Sequence, residues 1–212
     1  MFLVNAVYFK GEWSEPFNPN LTRELEFTLR NGSKKMHPMM SMTNAQELGY
    51  LETPEFQAVR LPYGESGRLG MYVFLPQNMD DFIRDLSVEN WDRWIKRFRE
   101  REVKVVLPKI RLEYSKRLND VLKALGMEVA FTPAAADFGD MTEEAAWIDF
   151  VDHKCFLEVD EEGTEAAAAT AAAVILGGGD IMRVDRPFFF AIEDSESAAI
   201  AFMGLIENPS LE

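Results

Sequence analysis

The segment between Gly163 and Gly179 limits what this chain can fold into more than any other part of its sequence. After the first glycine it reads Thr-Glu, four alanines, one threonine, three alanines and Val-Ile-Leu, and it closes with three glycines. One interpretation is a helix or a flexible linker, because alanine has the highest helix propensity. The alanine run, however, offers no stripe of side chains larger than a methyl group that could hold a helix against a core.

The same segment also fits a strand that enters an existing sheet. Strand side chains alternate between two faces, so every second residue from position 164 would share one face. The residues on this face are small or hydroxylated, namely Thr164, Ala166, Ala168, Thr170 and Ala172. Glu165 would point the other way, into solvent. Alanine is uncommon in ordinary strands, which favours a strand that forms late over one that is built in from the start.

This segment resembles the hinge and reactive loop of the serpins, the family of serine protease inhibitors. Other motifs resemble further parts of that family, and they occur in family order over essentially all 212 residues. They are residues 3–13 with Pro16-Phe17 (third strand of sheet A and its exit), residues 107–109, 112–114 and 118–122 (sixth strand and following helix), residues 153–154 and 156–159 (fifth strand), and residues 186–190 and 202–204 (closing strands).

The resemblance implies an α+β, serpin-like multi-sheet fold with helices. Family members are roughly twice as long and place several helices and two sheet-A strands before the strand with which this chain begins. We therefore expect a single serpin-like domain over residues 1–212 that lacks the N-terminal helical half, with an exposed reactive loop at about 163–180. The sheet edge beside residues 2–9 would then be open to self-association.

Composition and charge restrict the partners. The chain is 47% hydrophobic and 12% aromatic, which is enough for a real core. Its net charge of −14 argues against nucleic acid, heparin-like polyanions and anionic membranes as partners. The single cysteine, Cys155, excludes an internal disulfide and a cysteine-based metal site, and we expect it to be a small core residue. No cofactor is expected. No secretory signal opens the chain, and only the family resemblance favours an extracellular location.

The hydrophobic pattern predicts mixed secondary structure. Strands are expected at residues 1–9 (apolar enough to be buried on both faces), 24–29, 34–43, 56–61, 69–75, 181–184, 187–193 and 198–206. A helix is expected over residues 80–98. A second helix would be capped by Ser115 and ended by Gly126. Residues 133–147 are expected to form a loop.

An enzyme is not favoured by these residues. Neither of the two histidines, His37 and His153, has the local context of a nucleophile's base. The acidic pairs, such as residues 143–144, are adjacent in sequence, so their side chains point apart. The glycine triplet at 177–179 lacks the spacing and the trailing lysine of a phosphate-binding loop.

The mechanism that the resemblance implies is a one-shot trap. A target protease cleaves the reactive loop and becomes attached as an acyl-enzyme, and the loop then inserts as a new strand of sheet A, as in the serpin example of strand addition. The hinge residues would be Glu161, Gly163, Thr164, Ala166, Ala168 and Thr170. The non-inhibitory alternatives are a carrier, a chaperone-like or structural serpin, or an inactive fragment that is only a protease substrate. A non-inhibitory hinge would be expected to contain a bulky, charged or proline residue, and none occurs at the inward positions of this hinge, which are all small or hydroxylated.

Four further residues match family positions that control sheet opening. Asn5 and His153 match a pair that hydrogen-bonds across the centre of sheet A. Trp13 and Lys109, together with Glu161, match a cluster at the top of that sheet. Because opposite charges there would hold the strands together until the loop enters, we predict an ion pair between Lys109 and Glu161.

The reactive bond has two candidate positions. Family spacing counted forward from Glu161 gives Gly177-Gly178, whereas spacing counted back from Pro187 gives Leu176-Gly177. The second is favoured because a protease pocket needs a side chain to recognise. Leucine favours chymotrypsin-like, elastase-like or subtilisin-like serine proteases as targets over trypsin-like ones, since no Lys or Arg occurs between positions 154 and 183.

Overall fold

A computed structural model describes residues 1–9, 11–162 and 180–211. Within it the chain forms two compact units. The first comprises Met1–Phe9 and Arg111–Leu157, and the second comprises Lys10–Ile110 and Glu158–Leu211. The strands are β1 (Phe2–Phe9), β2 (Arg23–Thr28), β3 (Lys34–Ser41), β4 (Gln46–Glu52), β5 (Phe56–Pro62), β6 (Leu69–Pro76), β7 (Arg99–Pro108), β8 (Ile110–Arg117), β9 (Phe150–Val159), β10 (Asp180–Arg183), β11 (Phe188–Asp194) and β12 (Ala199–Ile206). The helices are α1 (Met79–Asp85), α2 (Val88–Ile95) and α3 (Asn119–Leu122), with short 3-10 or π turns at Pro19–Leu21, Lys123–Met127 and Glu128–Phe131.

The first unit is built on a three-stranded sheet with the order β1-β9-β8. Strand β1 runs parallel to β9 without interruption, from the pair Phe2↔Phe150 to the pair Phe9↔Leu157. Asn5 and His153 are partners in this register. Strands β1 and β9, which resemble the family's third and fifth strands of sheet A, are therefore paired directly with each other.

The second unit is built on a nine-stranded sheet. Its order is β12-β11-β6-β5-β4-β7-β3-β2, and β10 adds a short parallel pairing to β7. Helices α1 and α2 cover one face through an aromatic cluster in which Phe82, Trp91 and Trp94 pack against Phe74 and Phe189. Phe74 is fully buried at its centre, so this cluster is the main core of the unit.

Most predicted strands are confirmed within about two residues of their expected ends, and residues 133–147 contain no helix or strand. Strand β4 and most of β7 were not predicted. The single helix expected over residues 80–98 is wrong, because the chain leaves α1 at Leu86 and starts α2 after Ser87. The Ser87 hydroxyl accepts a hydrogen bond from the Asn90 amide, and this new N-cap begins a separate helix.

The expected cap at Ser115 is also wrong. Ser115 lies inside β8, which pairs with β9, and the helix that follows begins only at Asn119 without a side-chain cap. Sheet pairing has taken precedence over local capping propensity here. Gly126 does interrupt the helical turns, with a φ of +99° that favours glycine.

Strand β1 is not buried on both faces as expected. Phe2 and Val4 are each 66% exposed and Tyr8 is 59% exposed. The strand lies at the edge of its sheet, and stacking of Phe2 on Phe150 is among the few contacts that cover it within the described first unit. Cys155 is likewise half-buried, so it is not the core residue that the sequence indicated.

The described ranges, 1–9, 11–162 and 180–211, contain neither a membrane-spanning helix nor a cluster of metal-binding side chains. No helix among them is long and apolar enough to cross a membrane. Over the same residues, no group of three or more His, Cys, Asp or Glu side chains could hold a metal ion.

Candidate functional site

The tripeptide from Asp160 to Glu162 links strand β9 to the alanine-rich segment, and its backbone is held by the chain around Trp13. The Trp13 amide donates to the Glu162 carbonyl at 2.9 Å, and the Phe17 amide donates to the Glu161 carbonyl at 2.7 Å. The Trp13 indole N–H donates to the Asp160 carbonyl at 2.9 Å. We call the tripeptide and the residues that bind it the hinge anchor.

The Glu161 side chain uses both carboxylate oxygens inside the hinge anchor. Lys109 Nζ lies 2.7 Å from Oε2, so the predicted ion pair is present, and the Thr22 hydroxyl donates to Oε1 at 2.6 Å. Glu161 as a whole is only 9% exposed. Burial alone would raise the pKa of Glu161, but the hydrogen bonds from Lys109 and Thr22 outweigh it and hold this pKa below its ordinary value. The carboxylate is therefore charged and fully engaged at neutral pH.

Trp13 is fixed in turn by a second aromatic ring. Its indole stacks on Tyr63 with the ring centroids 4.3 Å apart, and both rings are about 5% exposed. The adjacent backbone is tied to the β5–β6 turn, because the Gly64 amide donates to the Glu12 carbonyl. Stacking on Tyr63 thus helps to fix the indole N–H in the direction of the Asp160 carbonyl.

Lys109 lies between the end of β7 and the start of β8, and two consecutive residues of β3 hold its backbone. Its amide donates to the Pro38 carbonyl at 3.0 Å. Its carbonyl lies 2.6 Å from His37 Nε2, which donates to it as the N–H form. His37 is 4% exposed. Sequence reasoning did not include His37 in the site, because only the β3–β7 register brings it to Lys109.

Asn5 and His153 form a separate contact at the centre of the first unit's sheet. Asn5 Nδ2 and His153 Nδ1 are 3.4 Å apart, which is a long hydrogen bond between neighbouring strands. The structure thus brings together the pair that the sequence selected. Its control of sheet opening stays a prediction.

The remaining predicted site residues lie outside the described part of the chain. These are the hinge residues Gly163, Thr164, Ala166, Ala168 and Thr170, and the reactive-bond candidates Leu176, Gly177 and Gly178. The exposed loop expected at about 163–180 also lies almost entirely outside the described residues. Their roles therefore remain expectations from the sequence.

Comparison with known proteins identifies the family. A family model described as Serpin (serine protease inhibitor) matches residues 1–209, and the chain belongs to the serpin family. An uncharacterized serpin-like protein of Thermococcus kodakarensis is 40% identical over 99% of this chain, and Serpin B8 of Homo sapiens is 38% identical over 99% of it. Among solved structures, the native state of the thermophilic serpin tengpin matches 98% of this chain with a TM-score of 0.85 and 29% identity.

These comparisons confirm the α+β, serpin-like fold with mixed sheets and few helices. They also show that the chain spans about half the length of the relatives that it matches. It covers 50% of the Thermococcus protein, 58% of Serpin B8 and 55% of the tengpin chain.

Proposed function

We propose that this chain acts as a serine-type protease inhibitor of the suicide-substrate kind, with no catalytic turnover of its own. The protease's serine hydroxyl attacks the carbonyl carbon of Leu176 (or of Gly177), and the peptide bond to the next residue breaks. The new amine leaves with the C-terminal fragment, and the serine oxygen stays esterified to the chain. The freed segment then inserts into the three-stranded sheet before water can hydrolyse the ester.

The observation that carries this proposal is the chain order of β9, the hinge anchor and the alanine-rich segment. A segment released at its far end can turn back at Gly163, where the missing Cβ eases the reversal. It would then run antiparallel to β9 and to β1, which are parallel to each other. Each backbone hydrogen bond gained is worth about 0.5–1.5 kcal/mol net, so a full ladder on both sides gives a large driving force.

The residues of the hinge support an inhibitor over a non-inhibitory serpin. The inward positions are Thr164, Ala166, Ala168 and Thr170, and none carries a bulky or charged side chain. Insertion between β1 and β9 must separate strands that now pair directly, and Asn5 and His153 would part at the same step. Small side chains keep the barrier to that step low.

The hinge anchor supports a role as a latch. The Lys109–Glu161 pair and the bonds from Trp13 hold residues 160–162 before cleavage, immediately next to the residues that have to move. A latch of this kind lets the intact loop stay out of the sheet. Cleavage removes the restraint at the other end of the loop, and insertion energy then exceeds what the anchor supplies.

The proposed targets are chymotrypsin-like, elastase-like or subtilisin-like serine proteases. Leu176 gives such a protease an apolar side chain to bind, with Val174 and Ile175 before it. Trypsin-like enzymes need a basic residue, and none lies between positions 154 and 183.

The test is to mix the chain with chymotrypsin, elastase and subtilisin, with trypsin as the control, and to examine the products by denaturing gel and intact mass. A covalent adduct at the summed mass minus the C-terminal peptide is expected with at least one of the first three. The peptide mass also distinguishes the bond after Leu176 from the bond after Gly177. Cleavage without an adduct would show that this chain is only a substrate, and the proposal would then fail for it.

A further inference from the structure

His37 is a buried histidine that the proposed trap does not use, and it contacts the residue that holds the hinge. The residue is 4% exposed, and Nε2 lies 2.6 Å from the Lys109 carbonyl oxygen. That carbonyl belongs to the residue whose Nζ binds Glu161 at 2.7 Å. A chain of direct contacts therefore runs from His37 through Lys109 to Glu161.

The geometry at Lys109 explains why a side chain is needed there. Strand β7 ends at Pro108, so regular pairing with β3 stops one residue before Lys109. The Lys109 amide is still bound by the Pro38 carbonyl, but its own carbonyl is bound by the His37 imidazole. Hydrogen bonds on both sides of the Lys109 α-carbon fix the direction of its side chain. Without the imidazole, only one of the two remains.

We propose that His37 is a positioning residue that aims Lys109 at Glu161 and makes the hinge anchor sensitive to mild acid. In the closed anchor the imidazole is neutral and donates through Nε2. In this proposal, opening of the anchor includes loss of the hydrogen bond between His37 and the Lys109 carbonyl, so that His37 becomes hydrated and can take up a proton. Acid therefore favours the open form.

The charged groups around His37 agree with a neutral closed form. Burial lowers the pKa of His37, its bond to the Lys109 carbonyl opposes this, Lys35 on the same strand lowers the pKa further, and Glu24 on β2 raises it. Together these effects lower the pKa of His37 below its ordinary value. The Lys109 ammonium is paired with the Glu161 carboxylate.

The size of the effect follows from proton linkage. An exposed imidazole has a pKa of about 6.5, so at pH 5.5 the open form gains up to about tenfold in population relative to pH 7.5. The gain approaches this limit when the closed form does not protonate in the same range. The Glu161 carboxylate, whose pKa is held below its ordinary value, titrates at lower pH and leaves this window to His37.

The experiment is hydrogen exchange on the full chain, followed at the Trp13 and Phe17 amides that bind residues 161 and 162. Protection, corrected for the intrinsic pH dependence of exchange, is expected to fall by up to about tenfold between pH 7.5 and 5.5 in the wild type. The amides of Val59 and Val73, a buried pair in β5 and β6, serve as an internal reference that should not change.

Two variants separate the hydrogen bond from the titration. His37→Gln can still donate to the Lys109 carbonyl but does not titrate, so it should match the wild type at pH 7.5 and stay flat down to pH 5.5. His37→Val should exchange faster at both pH values. The proposal is overturned if His37→Gln keeps the wild-type pH response, or if His37→Val is as protected as the wild type at pH 7.5.

A further measurement on the wild type needs no variant to fold. The chain has two histidines, so the two imidazole titrations are readily assigned by NMR. His37 is expected in the Nε2–H form and to titrate below about 6.5; an Nδ1–H form or an ordinary titration would also overturn the proposal. The inference rests on the proposed role of the hinge anchor, but its readout requires no protease. A chain that shows this pH response without forming a protease adduct would fail only the proposed function.

Discussion

The Lys109 ammonium binds the Glu161 carboxylate at 2.7 Å in a pair whose side chains are 29% and 11% exposed. The same distance separates Lys34 from Glu26, but those side chains are 59% and 60% exposed. Equal geometry in two different environments makes the second pair a matched control for the first. Burial decides how much each pair contributes, because solvent screens the exposed one.

Removing the buried partner should destabilise the second unit measurably. Lys109→Met leaves a carboxylate in a site that is largely closed to water, and we expect a loss of about 1–3 kcal/mol in the free energy of unfolding. Lys34→Met should change it little, since its pair is screened by solvent. Urea denaturation of the three proteins measures both effects. Equal losses in the two variants would contradict a structural role for the Lys109–Glu161 pair.

The same pair predicts how stability depends on acid. Because the pKa of Glu161 is held below its ordinary value in the folded chain, its contribution is complete above that ordinary value, about 4.3, and is lost as pH falls through the folded pKa. Glu161→Gln has no such contribution to lose. The stability difference between wild type and Glu161→Gln should therefore shrink below about pH 4. A difference that stayed constant down to pH 2 would exclude this explanation.

The alternation of the hinge predicts which substitutions stop the trap. Thr164→Arg puts a long charged side chain on the face that must enter the sheet, so the protease should cleave the loop and escape. Glu165→Arg introduces the same side chain on the opposite face, so this variant should still trap the protease. The ratio of covalent adduct to cleaved chain on a denaturing gel compares them. Equal adduct yields would mean that the hinge does not enter as an alternating strand.

The aromatic cluster beneath α1 should carry much of the second unit's stability. Phe82 is 5% exposed and stacks on Trp94, with ring centroids 5.3 Å apart. Phe82→Ala should cost about 3–5 kcal/mol, through lost burial and the cavity that remains. The next residue in the same helix, Ile83, is 45% exposed, and Ile83→Ala should cost far less. Similar midpoints in thermal unfolding would show that the cluster relaxes around the missing ring.

Much of the fold could be predicted because most segments with a strong alternating or continuous hydrophobic pattern do form strands in the structure. Strand β4 was missed for a physical reason. Its sequence, Gln-Glu-Leu-Gly-Tyr-Leu-Glu, contains a glycine and three polar residues, and only Leu48, Tyr50 and Leu51 are buried. Pairing with β5 and β7 on its two sides makes it a strand, and no local pattern records those partners.

Site residues that belong to family motifs could be predicted from the sequence. Residues that reach the site only through the pairing of distant strands could not. Lys109 and Glu161 are 52 residues apart in sequence, and only resemblance to the serpins placed them together. His37 has no motif of its own, and it reaches Lys109 because β3 lies antiparallel to β7. The burial of β1 was predicted wrongly. Its residues are apolar enough to be buried, but the composition of a strand does not determine whether other elements cover it.

The stacked Trp13 has a practical consequence for following this molecule in solution. Its indole N–H bonds to the carbonyl of Asp160 while its ring lies on Tyr63, so departure of the 160–162 tripeptide alters the polarity around one defined fluorophore. Of the other tryptophans, Trp91 and Trp94 lie in the aromatic core and Trp147 is partly exposed. Replacing Trp147 with phenylalanine would leave two tryptophans in the core, away from the hinge, and one tryptophan in contact with it. The protein thus contains its own optical reporter, able to time the first movement of the hinge without any attached dye.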